Sequence, residues 1–413
     1  MTDGKPIETE MPDPEAAAAA KKKRLLELMK AKPARVHNDP PPPRPGLIVK
    51  RGHEGDRVST MLHLGVTALL AGEGGVGKTS LGAALAVAVA SGAPWIELSA
   101  PLKDGKKLGH DSMLEPERGA DGGVLYVAAE EEHIEIERRL YHACWTAARL
   151  ESGQSHDDLI NTKQTNEAFD RIKLAVNARV RVIALADTEV EGQALAAVVT
   201  ETRQLPGNRS VREVKAEAGT LFEAVAAELK TPPADNVPWR LVILDPLVEL
   251  LAIESENDNR QVATALRAGV HPLRRIVEGK PVTVLALHHT NKVGADKAAT
   301  GADRIRGASA FVNSARFAAL LTRGEGESPW MPLEVVKANY GKPVRRADLK
   351  YDDLHGNIRG VTAAERAEAE SEAAAKEATV KAAKAAKKNG GKSATPPAAE
   401  PEIPWSLIET EDD

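Results

Sequence analysis

The segment Gly72, Glu73, Gly74, Gly75, Val76, Gly77, Lys78, Thr79 carries the fixed glycines, lysine and hydroxyl of the pattern G-x-x-x-x-G-K-[ST], with Ser80 following. That spacing serves phosphate binding. Glycines let backbone N–H groups turn inward around a β-phosphate, and the following helix N-terminus adds partial positive charge. Lys78 is placed to reach the β- and γ-phosphates, and the Thr79 hydroxyl to ligate Mg²⁺. The implied ligand is a nucleoside triphosphate, ATP, with magnesium.

Hydrolysis also needs a metal anchor, a group that orients the attacking water, and cations that meet charge developing on the γ-phosphate. Arg240-Leu-Val-Ile-Leu-Asp245 is an apolar strand ending in a carboxylate, so Asp245 is the second metal candidate. Pro246 follows it, so the catalytic carboxylate must lie elsewhere. Glu130, ending Gly123-Val-Leu-Tyr-Val-Ala-Ala-Glu130, is the candidate general base, on a strand expected beside the phosphate loop. Glu131 and Glu132 are expected to begin a helix as N-terminal acids. His288 and His289 end a further apolar run. Adjacent strand residues point to opposite faces, which disfavours joint metal ligation and leaves a γ-phosphate sensor or a structural role.

These groups are useful only if strands and helices deliver them to one edge of a sheet. Short apolar runs at Val66–Ala71, Val124–Ala129, Val180–Leu185, Leu241–Leu244, Val282–Leu287, Phe317–Leu321 and Leu333–Lys337 read as strands. They alternate with helical patterns, the first at Ser80–Ala90, which predicts an α/β fold with a mostly parallel sheet flanked by helices. Two polar stretches, Ser99–Asp121 and Pro206–Lys215, read as insertions or loops.

The core is expected over 47–355. A flexible tail over 1–46 contains a short basic helix near Pro14–Lys32 and ends in a proline cluster. The tail over 356–413 is rich in Ala, Glu and Lys, with Ala363–Lys388, of strong helix propensity, expected to be a fraying helix or disordered, and an acidic tip that carries Trp405, Leu407 and Ile408. Its low-complexity composition supplies little apolar surface to bury.

With 55 Lys and Arg against 60 Asp and Glu, the net charge of -5 makes any nucleic-acid surface local. The lone Cys144 excludes an intramolecular disulfide framework and a multi-cysteine metal site, and reads as a buried helical side chain. The longest apolar run, Leu81 to Ala90, is short of the roughly 20 residues a bilayer span needs. Together with an N-terminus lacking a signal layout, this predicts a soluble, cytoplasmic protein with no membrane partner.

Four stretches taken in order resemble the RecA-type ring ATPases, and within them the RepA-like hexameric replicative helicases of plasmids and phages. They are GEGGVGKTS (72–80), VLYVAAEEE (124–132), ALHHTNK (286–292), and RGASAFVNSARF (306–317) with VVKANYG (335–341). The resemblance implies a RecA-like P-loop NTPase core, a six-membered ring with ATP at subunit interfaces, and single-stranded DNA through its centre. It assigns Glu130 as the water-activating glutamate, His289 as the sensor, and Arg316 as an arginine finger offered in trans, with Lys337 as a second trans cation. A solvated edge arginine is the alternative at position 316. In the loop Thr290–Arg306, where the resemblance implies DNA contact, Lys292, Lys297, Arg304 and Arg306 outnumber Asp296 and Asp303. The loop contains no aromatic residue, which favours phosphate contact over base stacking. The tails lie outside the resemblance and have room for a replication or recombination partner.

Two other readings use the same ATP site: a RecA-like recombinase or DNA-loading ATPase, and a regulatory or scaffold ATPase acting on protein partners.

Overall fold

The computed structural model describes residues 42–51, 57–98, 113–153, 162–188, 193–205, 209–290, 305, 309–324, 328, 330–352 and 357–389. The chain divides into two units, Met1–Arg44 and Pro45–Asp413, and the described elements belong to the second.

In chain order the strands are β1 (Gly46–Arg51), β2 (Arg57–His63), β3 (Thr67–Gly72), β4 (Ile96–Glu97), β5 (Met113–Pro116), β6 (Gly123–Ala128), β7 (Val180–Ala184) and β8 (Ala196–Leu205). They continue with β9 (Arg209–Ala218), β10 (Trp239–Asp245), β11 (Leu251–Ala252), β12 (Thr283–His289), β13 (Phe317–Leu321), β14 (Met331–Ala338), β15 (Arg346–Asp352) and β16 (Asn357–Gly360). The helices are α1 (Lys78–Ser91), α2 (His133–Ser152), α3 (Lys163–Arg179), α4 (Thr220–Lys230), α5 (Asn259–Ala265), α6 (Ala310–Ser314) and α7 (Ala363–Asn389).

The main sheet has nine strands in the order β16-β15-β14-β13-β3-β12-β10-β6-β7. From β13 to β7 every pairing is parallel, and β14, β15 and β16 extend the sheet in antiparallel fashion. The parallel strands are apolar along their whole length because both faces are covered. In β3 and β6, Ala68, Leu70, Val124 and Tyr126 face one core with α1, α2 and α3. The alternate residues Leu69, Ala71, Leu125 and Val127 face another with α4 and α5. Helix α1 contains no acidic residue and is buried from Ser80 to Ala90, as expected of a helix that is apolar all round. This is the mostly parallel, helix-flanked α/β core the sequence predicts for a RecA-like ATPase.

Three expectations change, and a fourth narrows to one of its two alternatives. The strand carrying Glu130 is not beside the phosphate-loop strand, because β12 and β10 intervene between β3 and β6; sequence order does not record where crossovers return. The supposed polar loop Pro206–Lys215 is largely strand: β8 and β9 pair antiparallel from Ala196↔Ala218 to Leu205↔Arg209 and, with β11, make a third sheet. The sheet continues past residue 355 through β16. Of the two states expected for the stretch that follows, the helix is the one observed, over Ala363–Asn389, with its start held by Arg359, which is nearly inaccessible and donates to Glu365 at 2.6 and 2.9 Å. Lys350 adds a further bond to Glu365 at 2.6 Å. These donors hold the Glu365 carboxyl far below the ordinary range. Propensity alone would let such a helix fray; the buried ion pair anchors it.

A smaller sheet, β2-β1-β5-β4, uses the end of the Ser99–Asp121 stretch as β5; residues 99–112 lie outside the described residues. Among the described residues no helix is long and apolar enough to cross a membrane.

Candidate nucleotide site

Parallel strands share one C-terminal edge, and the register brings distant residues together there. Gly72 pairs with His289, and Asp245 with Ala128, two residues before Glu130. Gly72 also lies opposite Leu321, so β13 ends at the same edge.

Within the phosphate loop, Gly75 and Gly77 take positive φ of 69° and 94°. A Cβ at Gly74 would meet open space, whereas one on Gly77 would collide with Ile358 and approach Tyr351 Oη to 2.9 Å. The loop is therefore open above and packed from the side by β15 and β16. Lys78, 6% exposed, donates to the carbonyls of Gly72 at 3.0 Å and Glu73 at 2.8 Å. Its Nζ is 3.5 Å from His289 Nδ1. Burial lowers the Lys78 pKa, while Asp245, Glu130 and Glu73 push it back up.

Asp245 is buried and accepts a 2.7 Å bond from the Tyr126 hydroxyl. Burial raises its pKa, and hydrogen bonds from Tyr126 and Thr79 oppose the rise. Asp245 thus lies against the hydroxyl of Thr79, the pairing expected of two oxygen ligands for a hard cation. Behind it, Arg139 donates to both Glu131 oxygens at 2.8 and 2.6 Å and to Ser80 Oγ at 3.1 Å. Glu131 is consequently an ion-pair partner rather than a first-turn acid; α2 begins at His133, with Glu132 as its N-cap.

Glu130 and His289 line a cavity of about 480 Å³ together with Val248, Glu249, Leu251, Ile253 and Glu256. The Glu130 carboxyl is raised by burial and by Glu249, against a lowering by Lys78. The two histidines separate as strand geometry predicts: His288 is buried with its ring 4.3 Å from that of Phe311, and only His289 reaches the loop. Among the described residues no group of three or more His, Cys, Asp or Glu side chains is arranged to hold a metal.

Arg316 and Lys337 lie elsewhere. The Arg316 amide donates to the carbonyl of Thr67, at the start of β3, so this exposed residue marks the edge opposite the phosphate loop. Lys337 donates to the carbonyls of Val312 at 2.9 Å and Asn313 at 3.0 Å, satisfying the end of α6. Its ammonium is lowered by burial and by Arg316. Lys292, Lys297, Arg304 and Arg306 lie outside the described residues. Cys144 is buried, and burial pushes its thiol up to about 12, so it is inert.

Sequence reasoning missed Tyr126, Arg139, Glu249 and Arg323. Arg323, just past β13, donates to the Gly74 carbonyl at 3.3 Å and brings a second cation of the same chain to the loop. Tyr126 and Asp245 are joined across 119 positions, so no local spacing reveals them. Arg139 does carry a signal, eight residues from Glu131 on the adjoining helix.

Solved structures of 358 chains resemble this one. One is the structure of a DnaB-like replicative helicase and its interactions with primase, with 16% identity and a TM-score of 0.42, covering 72% of this chain and 59% of that one. This chain therefore spans less than two thirds of that protein. No curated protein matches. Residues 22–295 match the AAA domain family AAA_25, a span that includes the phosphate loop, Glu130, Asp245 and His289 and stops short of Arg316 and Lys337. Because that match covers more than half of the chain and contains the loop geometry described above, the chain belongs to the AAA_25 family of AAA domains and is a P-loop ATPase.

Proposed function

We propose that this ATPase is a ring motor on single-stranded DNA, similar to the RepA-like hexameric replicative helicases. The observation that carries the reading is a division of labour. Lys78, Thr79, Asp245, Glu130 and His289 meet at one edge of the sheet, while Arg316 and Lys337 sit at the other. The separation along β3 is six residues, about 17–20 Å at the rise of a strand. A cation from the far edge can complete hydrolysis only at the site of another copy, which is what a ring supplies.

The residues present suit ATP and Mg²⁺: the loop is open over Gly74, and a buried carboxylate meets the Thr79 hydroxyl. Magnesium, held by Thr79 and Asp245, would supply charge neutralisation at the phosphates. Lys78 leaves carbonyl partners for phosphate oxygens, exchanging neutral acceptors for charged ones. Glu130 takes the proton of the attacking water, its basicity raised by burial and Glu249. His289, in contact with Lys78, reports the state of the γ-phosphate to the segment after β12, the loop read as the DNA contact through Lys292, Lys297, Arg304 and Arg306. The core, expected over 47–355 and extended through β16, is the motor, and the tails are sites for replication or recombination partners.

The test is ATP hydrolysis with and without single-stranded DNA, paired with strand displacement on a forked duplex, using Lys78→Ala as the blank. DNA-stimulated turnover with displacement is expected. Stimulation without displacement would replace the helicase by a recombinase or loader, and indifference to DNA would replace it by a protein-directed switch.

A further inference from the structure

Behind the nucleotide site, Arg139 joins two segments that carry its chemistry. It rises from the second turn of α2 between buried Ile136 and Leu140, so the core fixes its backbone. Its Nε and Nη2 donate to the two Glu131 oxygens at 2.8 and 2.6 Å, and its Nη1 donates to Ser80 Oγ at 3.1 Å. Glu131 follows Glu130, and Ser80 follows Thr79. One planar guanidinium therefore ties the neighbour of the proposed general base to the neighbour of the proposed magnesium ligand.

The two segments are not equally fixed. Ser80 is 3% exposed and opens the buried stretch of α1. The turn between β6 and α2 is different: Glu130, Glu132 and His133 are exposed, and Glu131 is half-buried. At the start of that turn the Ala129 amide donates to the Asp245 carbonyl at 2.8 Å, and at its end the His133 amide donates to the Asp187 carboxylate at 3.0 Å. Among the described residues neither the Glu130 nor the Glu131 amide donates between those ties, so the Glu131 side chain holds the middle of the turn.

We propose that Arg139 is a positioning residue for hydrolysis, whose fork onto Glu131 and bond to Ser80 set where the Glu130 carboxyl stands relative to the phosphate loop. Two parallel charge-assisted bonds fix direction as well as distance, which the point charge of a lysine ammonium cannot do. Glu130 in turn lines the cavity it shares with His289 and Glu249. A displacement of about 1 Å at a reacting group costs on the order of a hundredfold in rate, so a loose turn would be felt in turnover. The inference rests on the reading of Glu130 as general base and is independent of what the motor acts on.

The test is a double-mutant cycle on the full chain. ATP hydrolysis at saturating ATP and magnesium, and affinity for a fluorescent non-hydrolysable ATP analogue, are measured for wild type, Arg139→Lys, Glu130→Gln and the double variant. Arg139→Lys should lose roughly ten- to a hundredfold in turnover while the analogue binds within about threefold of wild type. In the Glu130→Gln background the same change should cost almost nothing further, because no base is left to misplace. Glu131→Gln breaks the fork from the other partner with α2 untouched; it should repeat both results, and it carries the cycle if Arg139→Lys fails to fold. Wild-type turnover in both fork variants, losses that multiply in the double variant, or analogue binding that falls with turnover would each overturn the positioning role. Glu130→Gln hydrolysing at the wild-type rate would instead overturn the base assignment on which it rests.

Discussion

The two edges of the parallel sheet differ in how finished they are. At the phosphate-loop edge, Lys78, Asp245 and Tyr126 are buried and already bonded to groups of their own chain. At the opposite edge, Arg316 is exposed, Lys337 closes the end of a short helix, and His271 sits against Thr67 with its pKa lowered to about 4 by burial and by Arg274, Arg267 and Arg316. Burial and the like charge of three arginines both disfavour the protonated imidazole, so positive charge has accumulated around it. On the proposed reading, binding and activation are assembled within one chain, whereas Arg316 and Lys337 reach γ-phosphate charge only from a second copy.

The largest effect should come from the finished edge. Lys78→Ala removes the cation that faces the phosphates, and hydrolysis should fall roughly a thousandfold with nucleotide binding weakened; turnover near wild type would break the comparison at its root. Glu130→Gln should lose roughly a hundredfold or more in turnover while nucleotide affinity persists, because the water loses its base and the phosphates keep their ligands. Loss of binding in parallel would assign Glu130 to ligand contact instead.

Arg359→Ala sharpens the comparison by asking what stiffens the finished edge. It leaves Glu365 without its main buried partner behind the strand whose Ile358 packs on Gly77. The expected cost is about 3–5 kcal/mol in a denaturant titration, and a cost near zero would remove the C-terminal extension from the account. The smallest effect is a pH shift. Glu249 raises the Glu130 carboxyl by like-charge repulsion, so Glu249→Gln eases ionisation and should move the acid limb of the turnover profile to lower pH. A shift toward higher pH would contradict that placement of the pair.

The fold was legible wherever burial on both faces writes an apolar run. All seven expected strands exist, and Phe317–Leu321 matches residue for residue. The strands that escaped, such as β8 and β9, carry polar residues on both faces in their outer halves, so no alternation reports them. In the site, Lys78, Thr79 and Asp245 were legible because each sits at a fixed offset from a strand end. Tyr126 and Arg323 were not, because their partners are set by sheet order, and β12 and β10 inserting between β3 and β6 is a fact of topology. The anchoring of α7 was equally hidden: a composition rich in Ala, Glu and Lys gives no hint that Arg359 is buried beneath Glu365.

The most direct test of the division between the edges is a mixing experiment with Lys78→Ala and Arg316→Ala. Each variant alone should be inactive, the first lacking the phosphate cation and the second the trans cation. Co-assembled in equal amounts, they should regain hydrolysis at about a quarter of the interfaces, where an intact loop meets an intact Arg316. Full activity of Arg316→Ala alone, or no recovery in co-assembled mixtures, would contradict a site completed across two copies.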